Sequence, residues 1–187
     1  MKLDQIKTTE LESKYIRQGI EENIKFVAAE GFDEPELGKP KITITLAKSN
    51  ADMDTQVTTF RFTLGDSNLQ TGELDKGGKY SLSKVRHMVD AVCPVEEADA
   101  LSYNSPSELA AELNRVLKGK TWTQFKFVGE EYINHAGEVK VKANIGLPVF
   151  CLGEYSQEGR TLKYNPSNEY DYKRIAKPEP STGGMLI

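Results

Sequence analysis

Two stretches of the chain alternate strictly between apolar and polar residues. In "KITITLAKS", Ile42, Ile44 and Leu46 fall on one side and Thr43 and Thr45 on the other. In "QVTTFRFTLG", Phe60, Phe62 and Leu64 oppose Thr59, Arg61 and Thr63. A period of two is that of a half-buried strand. The short polar turn "NADMD" between the two stretches predicts a hairpin. Upstream, "GIEENIKFVAAEGF" places Ile24 and Phe26 around Lys25 and predicts a strand over about 23–29. The following "DEPELGKP", with two prolines and a glycine, is a loop.

The period then changes. "SLSKVRHMVDAVC" spaces Leu82, Val85, Val89 and Val92 as a helix does, and Pro94 ends it. A second helix follows, with Ser105 as N-cap, Pro106 at the first helical position and Glu108 placed for a capping box. Leu109, Leu113, Val116 and Leu117 form its apolar stripe, and Gly119 closes it. After Gly119 the alternation returns. "TWTQFKFVGEEY" sets Phe125 and Phe127 against Trp122, Gln124 and Lys126. Beyond the turn "NHAG", "EVKVKANIG" sets Val139, Val141, Ala143 and Ile145 against Lys140, Lys142 and Asn144. "PVFCLGEY" is a short apolar strand that Pro148 keeps near an edge.

This order predicts a mainly β protein with a helical insertion, an α+β chain. Residues 1–18 form a polar N-terminal arm, 19–160 the domain, with its helical insertion at about 80–118, and 161–187 a C-terminal extension and tail. Three strands, helices, then two or three strands is the order of an OB-fold, a five-stranded antiparallel barrel with helices between strands 3 and 4. A β-sandwich is the alternative, because alternation does not prove closure.

Charge narrows the function. With 24 Lys and Arg against 28 Asp and Glu, the net charge is -4. A globally basic nucleic-acid binder is excluded, and a locally basic face is not. From Asp90 to Glu112 there are six acids and no base; from Lys118 to Lys142 there are five bases and three acids. No apolar run approaches the roughly 18 residues of a membrane helix. The start "MKLDQIKTTELESKY" has acids where an export signal needs an apolar core. Cys93 and Cys151 stand in no metal-binding spacing. A cytoplasmic protein with reduced thiols, and no membrane association, is expected.

Catalytic patterns are sparse. His87 and His135 are the two histidines, one on the polar side of a helix and one in a turn, and both read as solvated side chains. "GELDKGGKYS" fails as a phosphate loop: Gly72 to Lys79 is one residue too long, and Tyr80 replaces the magnesium-binding hydroxyl. Glu130-Glu131 and Glu96-Glu97 are adjacent pairs that point apart. No enzyme, metal site or cofactor is expected.

The faces opposite the core are more informative. They read Lys25; Thr43 and Thr45; Thr59, Arg61 and Thr63; Trp122, Gln124 and Lys126; Lys140 and Lys142. Outward sheet faces are ordinarily polar, and Lys guards edges. A ring set among cations is also what single-stranded nucleic acid needs: cations follow the phosphates and rings stack on bases.

The stretches "YIRQGIEENIKF", "SKVRHMVDAVCPVEEADAL", "LNRVLKGKTWTQFKFVGEEY" and "TLKYNPSNEYDYKRI" resemble a group of phage-encoded OB-fold, single-stranded DNA-binding proteins, over about residues 15 to 175. The resemblance implies a phage replication or recombination accessory protein in the cytoplasm of an infected bacterial cell. It would coat single-stranded DNA and meet phage replication or recombination proteins. The positions it implies for the DNA are Trp122, Lys126, Lys140, Lys142, Arg61 and Lys25, joined by Lys120 and Tyr132 of the same stretches. One departure stands out: the tail "KPEPSTGGMLI" lacks the acidic character by which such proteins recruit partners. The other reading is a phage structural or assembly protein that works through protein–protein contacts.

Overall fold

The computed structural model describes residues 16–33, 39–48, 57–64, 76–102, 104–146 and 150–175. Most of the N-terminal arm, the "NADMD" turn and the "PEPSTGGMLI" end lie outside these. The first three strands are β1 (Gly19–Phe32), β2 (Lys41–Lys48) and β3 (Val57–Thr63), joined as antiparallel neighbours. Alternation does what it predicts in β2 and β3. Ile42, Ile44, Leu46, Phe60, Phe62 and Leu64 are all buried, while Thr45 and Thr59 bond hydroxyl to hydroxyl on the opposite face.

Three helices follow: α1 (Lys76–Asp90), the short α2 (Val95–Asp99) and α3 (Pro106–Val116). At the start of α3 the Ser105 hydroxyl accepts from the Glu108 N–H, and Leu109, Leu113 and Val116 are buried. Asn114 latches α3 to β1: its side chain accepts from the Ala29 N–H and donates to the Ala29 carbonyl, both at 2.8 Å. Gly31 lets the two elements touch, since a Cβ there would collide with the Pro106 backbone.

Strand β4 (Thr121–Ile133) pairs with β1 through its first half and with β5 (Val139–Ile145) through its second. Two short strands complete the sheet on β4, β6 (Cys151–Leu152) antiparallel and β7 (Tyr172–Lys173) parallel. The result is mainly β, a seven-stranded, largely antiparallel sheet in the order β3-β2-β1-β4-β5 with a few helices. Among the described residues no pairing joins β3 to β5, so the sheet is not closed. The parallel β7 was not anticipated, because its two residues carry no pattern.

Two expectations about which side residues face are corrected. Trp122 is not on the outward face. It is fully buried, packs edge-on against Phe125 at 5.6 Å, and donates its indole N–H to the Met88 carbonyl. Strict alternation would put Trp122 and Phe125 on opposite faces. Both are nonetheless buried; on the paired strand Asn23 takes a left-handed φ of 54°, and the ladder runs from Glu22↔Gln124 to Ile24↔Trp122 with its register unchanged. Asn tolerates that conformation better than most residues. The second correction concerns β5. Only Ile145 of its apolar set is buried and Ala143 partly so; Val139 and Val141 are exposed. The β4–β5 hairpin runs past the end of the core, where alternation still holds but there is nothing to pack against.

Candidate nucleic-acid interface

Beyond Phe127 and Ile145 the two strands continue as an arm. Its register pairs Glu130 with Lys142, Tyr132 with Lys140, and Ile133 with Val139. Directly paired residues share a face. One face therefore carries Glu130, Lys142, Tyr132 and Lys140, and the other Glu131, Val141, Ile133 and Val139. The turn is firm: the Asn134 side chain accepts from the Ala136 and Glu138 amides, and Gly137 supplies a φ of 77°.

On the first face Tyr132 is exposed, with Lys140 directly opposite and Lys142 one row away. Lys140 lies 2.9 Å from Glu138, and Lys142 3.3 Å from Glu130. Such solvent-exposed pairs contribute about 0–1 kcal/mol, so an incoming phosphate displaces them at little cost. Burial pushes the Glu130 carboxyl up, but hydrogen bonds from Asn144 and Lys142 and the charges of Lys142 and Lys173 outweigh it and hold it low.

The arm thus gathers three of the expected residues, Tyr132, Lys140 and Lys142. The others lie elsewhere. Arg61 is exposed on β3 opposite Thr43. Lys25 and Lys120 are half-buried and near each other, since Lys25 pairs with Thr121 and the Phe26 N–H donates to the Lys120 carbonyl. Trp122 is in the core. Lys126 is committed within the protein: its ammonium donates to the Asp171 carboxylate at 2.8 Å, with both side chains largely buried.

Asp171 brings in residues that strand reading missed. It is the one buried charged residue among those described. Its second carboxylate oxygen accepts from the Asn165 N–H, and its carbonyl accepts from the Gly129 N–H. So anchored, the extension lays Tyr172 and Lys173 beside Gly129 and Glu130. Lys173 becomes, with Lys142, the second cation near Glu130. The hint in the sequence was "DYKRI", a basic run beside a ring, outside any strand pattern.

A second concavity lies between α1 and residues 151–160, a hollow of about 250 Å³ lined by His87, Asp90, Tyr155 and Arg160 among others. His87 is held there by stacking on Phe150. Among the described residues no group of His, Cys, Asp and Glu is arranged to hold a metal, and no helix is long and apolar enough to cross a membrane. No family model, curated protein or solved structure matches this chain.

Proposed function

We propose that this protein binds single-stranded DNA without sequence preference, through the arm face that carries Tyr132, Lys140 and Lys142. The observation that carries the reading is the exposed Tyr132 ring with Lys140 directly opposite it and Lys142 one row away. A base stacked on the ring contributes about 1–3 kcal/mol, and the ammonium groups meet the flanking phosphates. Lys25, Lys120 and Arg61 extend the basic surface on the strands behind the arm. The acidic stretch from Asp90 to Glu112 repels the strand and confines it to the β side.

The reading takes the sheet as an OB-like barrel in which β3 approaches β5. The strand order and the helices between β3 and β4 support it. It places the protein in phage DNA replication or recombination, in the cytoplasm of an infected bacterial cell. The test is anisotropy of labelled oligo-dT against a duplex of equal length, at low and moderate salt. Tyr132→Ala is expected to weaken oligo-dT binding by about 1–3 kcal/mol. Lys140→Ala and Lys142→Ala should each flatten the salt slope by about 0.7. Unchanged slopes remove this face from DNA binding, and equal affinity for duplex overturns the preference for single strands.

One observation favours a second reading. The reverse face of the same arm exposes Ile133, Val139 and Val141, which suits a protein contact in phage assembly. Retention of capsid or tail components by the purified protein, with no oligo-dT affinity at low salt, would select it.

A further inference from the structure

We propose that Lys173 is a phosphate-contacting residue of this face and that Lys126 is a positioning residue, anchoring through Asp171 the segment that presents Lys173. The inference rests on the single-stranded DNA reading and names a further residue of the same site.

The anchor fixes the backbone just before Lys173. Asp171 is tied to β4 twice, by the Lys126 ammonium at 2.8 Å and by the Gly129 N–H at 2.9 Å. Its other carboxylate oxygen closes the turn onto Asn165. Next along, the Tyr172 ring lies where any Cβ at position 129 would sit, within 2.6 Å of its Cδ2. After Lys173 the Ile175 N–H donates to the Glu131 carboxylate. Lys173 is therefore held on both sides while its own side chain stays exposed.

The register sets its direction. Lys173 pairs with Glu130, and Glu130 with Lys142. Paired residues share a face, so Lys173, Glu130 and Lys142 form one row across three strands, beside the Tyr132–Lys140 row. Both lysines help hold the Glu130 carboxyl low. Burial, and then the charge of Lys173, pushes the Lys84 ammonium down, so Lys173 also lies within the field of α1. Around one carboxylate there is more positive charge than it neutralises, and the surplus lies next to an exposed ring. A phosphate on either side of a base stacked on Tyr132 meets Lys140 and Lys142 toward β5 and Lys173 toward β7.

The test is the salt dependence of oligo-dT binding, with hydrogen exchange of residues 165–175 measured in parallel. Lys173→Ala should weaken binding several-fold and flatten the slope by about 0.7, as for one lost phosphate contact on a single strand, with exchange unchanged. Lys126→Ala should weaken binding similarly but raise exchange across the extension. Lys126→Met combined with Asp171→Leu keeps the packing without the charges, and it should restore both protection and binding. Tyr172→Ala, which loosens the extension without removing a charged side chain, should weaken binding and covers the case in which the double variant does not fold. An unaltered slope in Lys173→Ala, while Lys140→Ala and Lys142→Ala lose theirs, overturns the inference and leaves the DNA reading intact. Weak binding by the double variant despite a protected extension makes Lys126 a direct contact and overturns the anchor. No oligo-dT binding by the unaltered protein at low salt overturns both readings.

Discussion

Phe60 of β3 stacks on Phe127 of β4 with ring centroids 5.3 Å apart and planes 17° from parallel. Two strands, β2 and β1, lie between them in the sheet. In a flat sheet three strand spacings would hold their backbones about 14 Å apart. The contact requires the sheet to curl so that its first and fourth strands face across one core. Phe127 passes the contact on to Phe125 at 4.6 Å, and Phe125 to Trp122 and Phe150. The curl and the aromatic chain are one feature.

Phe60→Ala is therefore expected to cost about 3–5 kcal/mol, the range for a buried ring left as a cavity. Phe127→Ala should cost at least as much, since it has two ring partners. The double variant should cost less than the sum by about 0.5–1.5 kcal/mol, the coupling of a stacked pair. Denaturant melts of the four proteins measure it. Strict additivity would mean that the rings do not meet and the sheet is flatter than described.

Trp122 gives a spectroscopic prediction. Its indole is fully buried and donates 2.9 Å to the Met88 carbonyl, one of the last-turn carbonyls of α1 that have no helical partner. The native emission should be blue-shifted and indifferent to oligo-dT, and should move red on unfolding. Trp122→Phe keeps the ring but orphans the carbonyl, at about 1–3 kcal/mol. Direct quenching by oligo-dT in the native state would contradict the burial.

What the sequence made legible follows from where each element sits. Alternation works where a strand has core on one side and water on the other. That is why Ile42, Ile44, Leu46, Phe60, Phe62 and Leu64 were placed correctly, and the Ser105–Glu108 cap marks α3 because its bond is local. Trp122 was misplaced because strict alternation fails within β4 itself, where Trp122 and Phe125, three residues apart, are both buried. Val139 and Val141 were misplaced because a pattern gives the face of a strand and not where the core ends. Of the candidate site, Tyr132, Lys140 and Lys142 were within reach because they lie on neighbouring strands of one hairpin. Lys173 was not, since the partners of Gly129, Asp171 by its carbonyl and Tyr172 by pairing, lie more than 40 residues along the chain and are chosen by tertiary contact alone.

Glu130 restrains the face that it shares with Lys142 and Lys173. Glu130→Gln should free both ammonium groups and tighten oligo-dT binding by about two- to fivefold, the scale of an exposed ion pair. The same change carries a pH signature. The folded carboxyl titrates below its unfolded value, so its contribution to stability is present above about pH 4.3. It is lost as the pH falls through the lowered folded value. Urea melts of the unaltered protein and Glu130→Gln should therefore differ at neutral pH and converge in acid. A gap that widens in acid would reverse the sign and place Glu130 in surroundings that disfavour its charge.

Gly129 tests the seat of the extension without altering any charge. A Cβ at this position would lie 2.6 Å from the Cδ2 of Tyr172 and 3.4 Å from the Cβ of Gln18. The first distance is a collision and the second a tight contact, so the ring must leave before anything else moves. Gly129→Ala should destabilise by about 1–3 kcal/mol, the cost of an overpacked site, and raise exchange in residues 165–175. Tyr172→Ala removes the obstacle, so Gly129→Ala made in that background should cost far less than it does alone. The comparison is a double-mutant cycle read by thermal melts and exchange. Undiminished cost in the Tyr172→Ala background would assign the clash to Gln18 and the start of β1, and the extension would then be seated by Asp171 alone.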